Sequence, residues 1–222
     1  MDGRLLLERL KQVPEYVQLF DAALGSEPSF GGTLKAIAAF QKSLVTGDSP
    51  FDLGTLSESA RRGQLLFEGK AACVSCHVGD DFSDGLAHNT GVSDNPALFE
   101  DPLRHATYRA FIKNMGVPGY MQVRQDVGHF TVTKDYDDMG AFVTPGLRQV
   151  ADTGPYMHNG VLATLEDVVT FYNARGDGLG LSPSEVGDLI SFLESLSGTM
   201  PHVDIPTPPP YQVIPNWREA IN

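Results

Sequence analysis

At 222 residues the chain is long enough for one domain of ordinary size, or one and a half, with a core to bury. Its 41% hydrophobic and 20% charged content is that of a globular protein, and no apolar run reaches the roughly 18 residues of a membrane helix. A formal net charge of −12 argues against a nucleic-acid partner, whose phosphates call for a basic face, and suits a basic protein partner or solubility alone.

The opening, MDGRLLLERLKQVPEYVQLF, is charged every few residues and is no signal peptide; an exported protein with this sequence would have a leader absent from this chain. PEYVQLFDAAL and GGTLKAIAAFQKSL place apolar residues at helical spacing, so residues 1–55 are predicted to be a helical segment. TLSESARRGQLLFEG predicts a further helix, closed by Gly69 just before the cysteines. Residues 78–100, rich in Gly, Asp and Asn, are predicted loop. DPLRHATYRAFIKNMG predicts a helix, and 116–160 is mostly loop, with turns at GVPGY and TGPY.

Two later helices have clearer punctuation. TLEDVVTFYNARG opens on Thr164 and closes near Gly176, with Leu165, Val168, Val169 and Tyr172 at i, i+3, i+4 and i+7. SPSEVGDLISFLESLSG opens on a capping box of Ser182 and Glu185, with Pro183 at the first helical position. The tail PHVDIPTPPPYQVIPNWREAIN, residues 201–222, is too proline-rich for helix over most of its length and is expected to lie extended on a surface. Strand signals are scarce, so the fold class is mainly α with long loops.

The only two cysteines, Cys73 and Cys76, are followed at once by His77 in GKAACVSCHVGDDF. C-x-x-C-H is the attachment signature of c-type haem. Each thiol adds across a haem vinyl group, both vinyls are reached from one short turn, and the histidine is placed as proximal iron ligand. A structural zinc site would need four protein ligands, and a thioredoxin-like pair would need a βαβ context. The expectation is one covalent haem c, attached outside the cytoplasm, which makes the protein periplasmic.

Beyond the haem motif, GAFVTPGLRQVADTGPYMHNGVLATLEDVVTFYNARG (140–176) resembles the C-terminal haem domain of bacterial dihaem cytochrome c peroxidases and MauG-like enzymes. TGDSPFD, ARRGQLLFEGKAACVSCHVGDDFSD, AHNTG and SFLESLSG follow that family's order, and the resemblance covers roughly residues 14–200. It implies a cytochrome c-like haem domain over 56–200, preceded by a segment (1–55) similar to the family's inter-domain region. In the family the peroxide-reactive haem belongs to an N-terminal domain that has no counterpart among these residues. The resemblance therefore implies a six-coordinate electron-transfer haem, with the peroxide-reactive haem on another chain or segment. Catalysis by this chain alone is not implied, and no catalytic residue is assigned. A monohaem electron carrier and a haem subunit of a larger electron-transfer complex are the alternatives.

The resemblance also implies site residues. The second axial ligand, methionine in the peroxidases and tyrosine in MauG-like enzymes, falls on Tyr172. From the residues alone Tyr172 reads as a core tyrosine, and Met115, Met121, Met139, Met157 and Met200 compete, Met139 and Met157 lying in the motif region. His158 matches a turn histidine near the haem, or is a histidine satisfied by backbone. Arg148 is a candidate partner for a haem propionate, or forms a surface ion pair. His88, His105, His129 and His202 read as structural or exposed. The family's calcium would draw on backbone carbonyls near Thr153 and Pro155, completed by an asparagine from the other half. The implied partners are a second haem-bearing chain or domain and an electron-donor or substrate protein.

Overall fold

A computed structural model describes residues 3–176 and 178–209, with the side chains of Leu98 and Phe99 left aside. The described residues fall into two units, one of residues up to Val45 together with those from Met200 onward, the other Thr46–Thr199. Among the described residues no helix is long and apolar enough to cross a membrane. The fold is mainly α.

The first unit holds α1 (Gly3–Lys11), α2 (Pro14–Leu24) and α3 (Phe30–Ser43). Pro14 occupies the first turn of α2, and Gly25 ends it in the left-handed region at φ 64°. Ser29 caps α3, its hydroxyl accepting from the Gly32 N–H at 3.0 Å. Gly32 is where α3 meets α2 closely: a Cβ there would stand 3.1 Å from Phe20 and 3.2 Å from Leu24. On α3, Leu34, Ile37 and Phe40 follow one another at helical spacing yet are 52%, 50% and 50% exposed. Residues 201–209 have no regular structure, and the expectation for 210–222 lies outside the described residues.

The second unit holds α4 (Glu58–Glu68), α5 (Pro96–Phe99), α6 (Pro102–Asn114), α7 (Phe130–Thr133), α8 (Leu165–Ala174) and α9 (Pro183–Glu194). One antiparallel pair, β1 (Ala87–His88) with β2 (Phe142–Val143), sets His88 opposite Phe142. The capping box of Ser182 and Glu185 on α9 forms as read, and Thr164, read as the start of α8, makes a second one with Asp167. Residues 46–55 belong to this unit. Asp48 accepts from the Thr199 N–H, Ser49 is wholly buried, and Asp52 receives the Ser49 hydroxyl at 2.7 Å.

The core forms where α4 and α9 cross. Gly63 allows this, since a Cβ there would run into the Asp188 carbonyl and approach the Phe192 Cβ at 2.8 Å. Asp188 fastens the crossing, receiving Ser59 Oγ at 2.6 Å and Arg62 through Nε at 2.8 Å and Nη2 at 2.7 Å. Below it Phe51, Phe67, Phe82 and Phe192 pack mostly edge to face, with centroids 5.2–6.3 Å apart. A separate apolar cluster of Ile112, Val117, Val127 and Phe130 closes the 102–140 stretch, with Tyr108 donating to Asp126 at its edge. This short compact element inside the expected loop follows no periodic apolar pattern.

Candidate haem site

The cysteines stand directly beyond the C-terminal end of α4. Gly69 closes that helix, Ala72 turns in the left-handed region at φ 52°, and Cys73–Ser75 forms one 3-10 turn. The Cys76 and His77 N–H groups both donate to the Cys73 carbonyl, at 3.2 and 3.0 Å. That places the two cysteines on a single turn, and both are free thiols. Burial pushes the Cys73 thiol up to about 11.

The loop after the motif folds back beneath it. Asp84 N–H donates to the Cys76 carbonyl at 2.8 Å, and Phe82, at φ 55°, inserts its ring among the phenylalanines of the core. The Phe82 carbonyl lies 2.8 Å from His77 Nδ1. Burial lowers the pKa of His77, so the ring is neutral near pH 7. With Nδ1–H as the donor, the lone pair sits on Nε2, the nitrogen an iron would take.

Tyr172 stands on α8. Burial raises its phenol, and Thr90 and Arg175 oppose that shift. The thiols of Cys73 and Cys76 also act on the phenol electrostatically, in the raising direction. Arg175 reaches across to the Asn89 carbonyl at 3.2 Å and ties the end of α8 to the 87–91 segment. Two unbridged thiols on one turn followed by an imidazole held at Nδ1 by a carbonyl are a donor set that fits a covalently attached haem with His77 as an axial ligand.

A family described as di-haem cytochrome c peroxidase matches residues 1–60. "Cytochrome-c peroxidase IdrP2" of Denitromonas iodatirespirans is 42% identical over 224 residues, covering 96% of this chain and 61% of that protein. "Methylamine utilization protein MauG" of Methylorubrum extorquens is 32% identical over 227 residues, covering 94% of this chain and 57% of that protein. The chain belongs to the MauG-like dihaem cytochrome c peroxidase family. A crystal structure of a MauG-like protein associated with microbial copper homeostasis superposes with a TM-score of 0.62 at 29% identity, over 88% of this chain and 62% of that one. The chain thus spans about three fifths of the proteins it matches, at 61% and 57% of the two relatives named. Members of this family bind c-type haem.

The other residues singled out from the sequence make contacts of their own within the protein. Arg148 is engaged within the protein, with Nη1 at 2.9 and 3.0 Å from the two Asp52 carboxylate oxygens and Nε donating to the Asp80 carbonyl at 2.7 Å. Its guanidinium lies over the Phe82 ring, on the loop that holds His77. His158 stacks on Phe142 at 3.6 Å and 9°, and burial lowers its pKa. It lines a cavity of about 130 Å³ with Asn89, Asp94, Asp126, Met139 and Phe142. Met139 also packs against the Ile112 and Phe130 cluster. Thr153 donates its hydroxyl to the Val150 carbonyl, and Pro155 follows a cis peptide bond in a turn closed by Tyr156 N–H to Leu162 O.

Sequence reading assigned His88 a structural or exposed role, and the structure gives it a partner. Its Nε2 is 2.7 Å from Asp84 Oδ2, and the pair adjoins Cys76. The i, i+4 spacing of Asp84 and His88 was the only trace in the sequence, and in a predicted loop that spacing carries no expectation of contact.

Proposed function

We propose that this chain is the six-coordinate electron-transfer haem domain of a dihaem peroxidase or MauG-like enzyme, and that the peroxide-reactive haem lies outside these residues, on another chain or segment. The observation that supports this reading is the C-x-x-C-H turn with His77 held through Nδ1 by the Phe82 carbonyl, and Tyr172 would be the second iron ligand. Cys73 and Cys76 would hold the haem. Bound haem supplies a reversible ferric–ferrous couple, and a phenolate ligand favours the ferric side. His77 is oriented by the Phe82 carbonyl, and Tyr172 by the α8 end tied down through Arg175. With both axial positions filled by the protein, peroxide would have no coordination site here.

The partner half would dock on the apolar face of α3, where Leu34, Ile37 and Phe40 stand half exposed. The calcium implied by the family pattern would use the carbonyls of Thr153 and Pro155. Covalent c-type attachment places the protein in the periplasm. The test is peroxide turnover by the haem-loaded chain, alone and with the remaining part of the enzyme. Slow turnover alone that the second half restores supports the reading. Fast turnover by the chain alone would make this haem the peroxide site.

A further inference from the structure

The Cys76 sulfur, a carboxylate oxygen of Asp84 and a ring nitrogen of His88 all lie within 4.8 Å of one another. Three such ligands would ordinarily suggest zinc, one ligand short of its tetrahedral set. In this chain the C-x-x-C-H segment commits Cys76 to a thioether bond, which removes the anionic sulfur that zinc prefers. What remains is a carboxylate–imidazole pair fixed against the atom that joins protein to haem.

Both partners of the pair are held. Asp84 Oδ2 meets His88 Nε2 at 2.7 Å, while Oδ1 accepts the Leu86 N–H at 2.9 Å. The Asp84 backbone N–H donates to the Cys76 carbonyl at 2.8 Å, so the carboxylate is anchored to the attachment turn itself. Thr144 also faces it, and these donors hold the carboxyl at about 2, so the charge persists throughout the neutral range. His88 is fixed by its ladder position opposite Phe142. The side chains are 14% and 37% exposed for Asp84 and His88, which leaves the charge only partly screened by water. Both groups already act electrostatically on His77.

We propose that Asp84 and His88 together set the reduction potential of the haem held by Cys73, Cys76 and His77. Asp84 is a fixed negative charge beside the Cys76 sulfur that favours ferric iron, and His88 is the positioning residue that holds it there. The physical basis is that outer-shell charge and hydrogen bonding tune a haem's potential without changing its ligands. The proposal rests on the haem reading above.

A redox titration of the haem-loaded protein tests it, comparing wild type with Asp84→Asn, Asp84→Glu and His88→Gln. Asp84→Asn keeps the shape and loses the charge, so its potential should move upward while haem mass and ferric ligand spectrum stay the same. Asp84→Glu restores the charge and should recover most of the wild-type potential. His88→Gln, which retains a donor, should shift it less than Asp84→Asn. An Asp84→Asn potential equal to wild type overturns the proposal. Loss of haem from all three variants also overturns it, because the pair would then serve haem attachment. A wild-type chain without covalent haem would instead refute the haem reading, a result distinct from an unmoved potential.

Discussion

On α8 a single oxygen separates two kinds of iron centre, because a phenolate from Tyr172 favours ferric iron whereas a thioether favours ferrous iron and a higher potential. Tyr172 is the proposed ligand, and Met139 packs against the Ile112 and Phe130 cluster. The ferric protein should therefore lack the sulfur-to-iron charge-transfer band of methionine-ligated haem, and Tyr172→Phe should open a coordination position and shift the spin state. An unchanged absorption spectrum in that variant would return the ligand to a methionine. The thiols give a simpler outcome. Cys73→Ala or Cys76→Ala should lose most of the covalently retained haem, read as the mass of the denatured chain. The motif was legible because C-x-x-C-H is a contact between near neighbours in sequence. The choice of Tyr172 was not, because an apolar-face tyrosine at helical spacing looks the same whether its hydroxyl meets iron or backbone.

Between elements, the α4–α9 crossing supports the attachment turn, and Gly63 is its closest point. Gly63→Ala places a methyl inside the Asp188 carbonyl and against Phe192, so the helices must separate. A loss of at least about 1–3 kcal/mol is expected, visible as a lower Tm and weaker haem retention. The turn is also tied to α9 by Lys70, whose Nζ lies 2.9 Å from Glu185. Lys70 and the α9 cap hold the Glu185 carboxyl at about 2, below its ordinary value of 4.5. A folded-state value below the unfolded one stabilises at pH above the unfolded value, and this contribution is lost as pH falls from there toward about 2. Lys70→Met should therefore lower the Tm above about pH 5, with the difference from wild type shrinking between pH 4 and 2. Helix ends such as Thr164 and Ser182 were readable because capping is a local exchange of hydrogen bonds. The need for glycine at position 63 was not, since it comes from a residue on another helix.

For the whole molecule, the proposed function predicts dependence on a second haem-bearing part. Ile37→Glu and Phe40→Glu put charge on the exposed face of α3 and leave the C-x-x-C-H segment unaltered. They should leave haem content and spectrum unchanged while weakening association with the partner half at least tenfold in Kd, and peroxide turnover of the assembled enzyme should fall with it. Association as tight as wild type would move the docking surface elsewhere.

The residues by themselves determined the longer helices, several of their capped ends, the mainly α class and the C-x-x-C-H signature, because each depends on side chains within a turn or two of one another, whereas α5 and α7 lie in stretches read as loop. Tertiary structure alone decided that the Phe82 carbonyl orients His77, that Arg148 pairs with Asp52, and that Asp84 and His88 flank Cys76. The Arg148 contact joins segments far apart in the chain, and the closer ones pass through a loop whose path has no periodicity. The loop's course is settled only when Phe82 packs among Phe51, Phe67 and Phe192, a burial that no local pattern encodes.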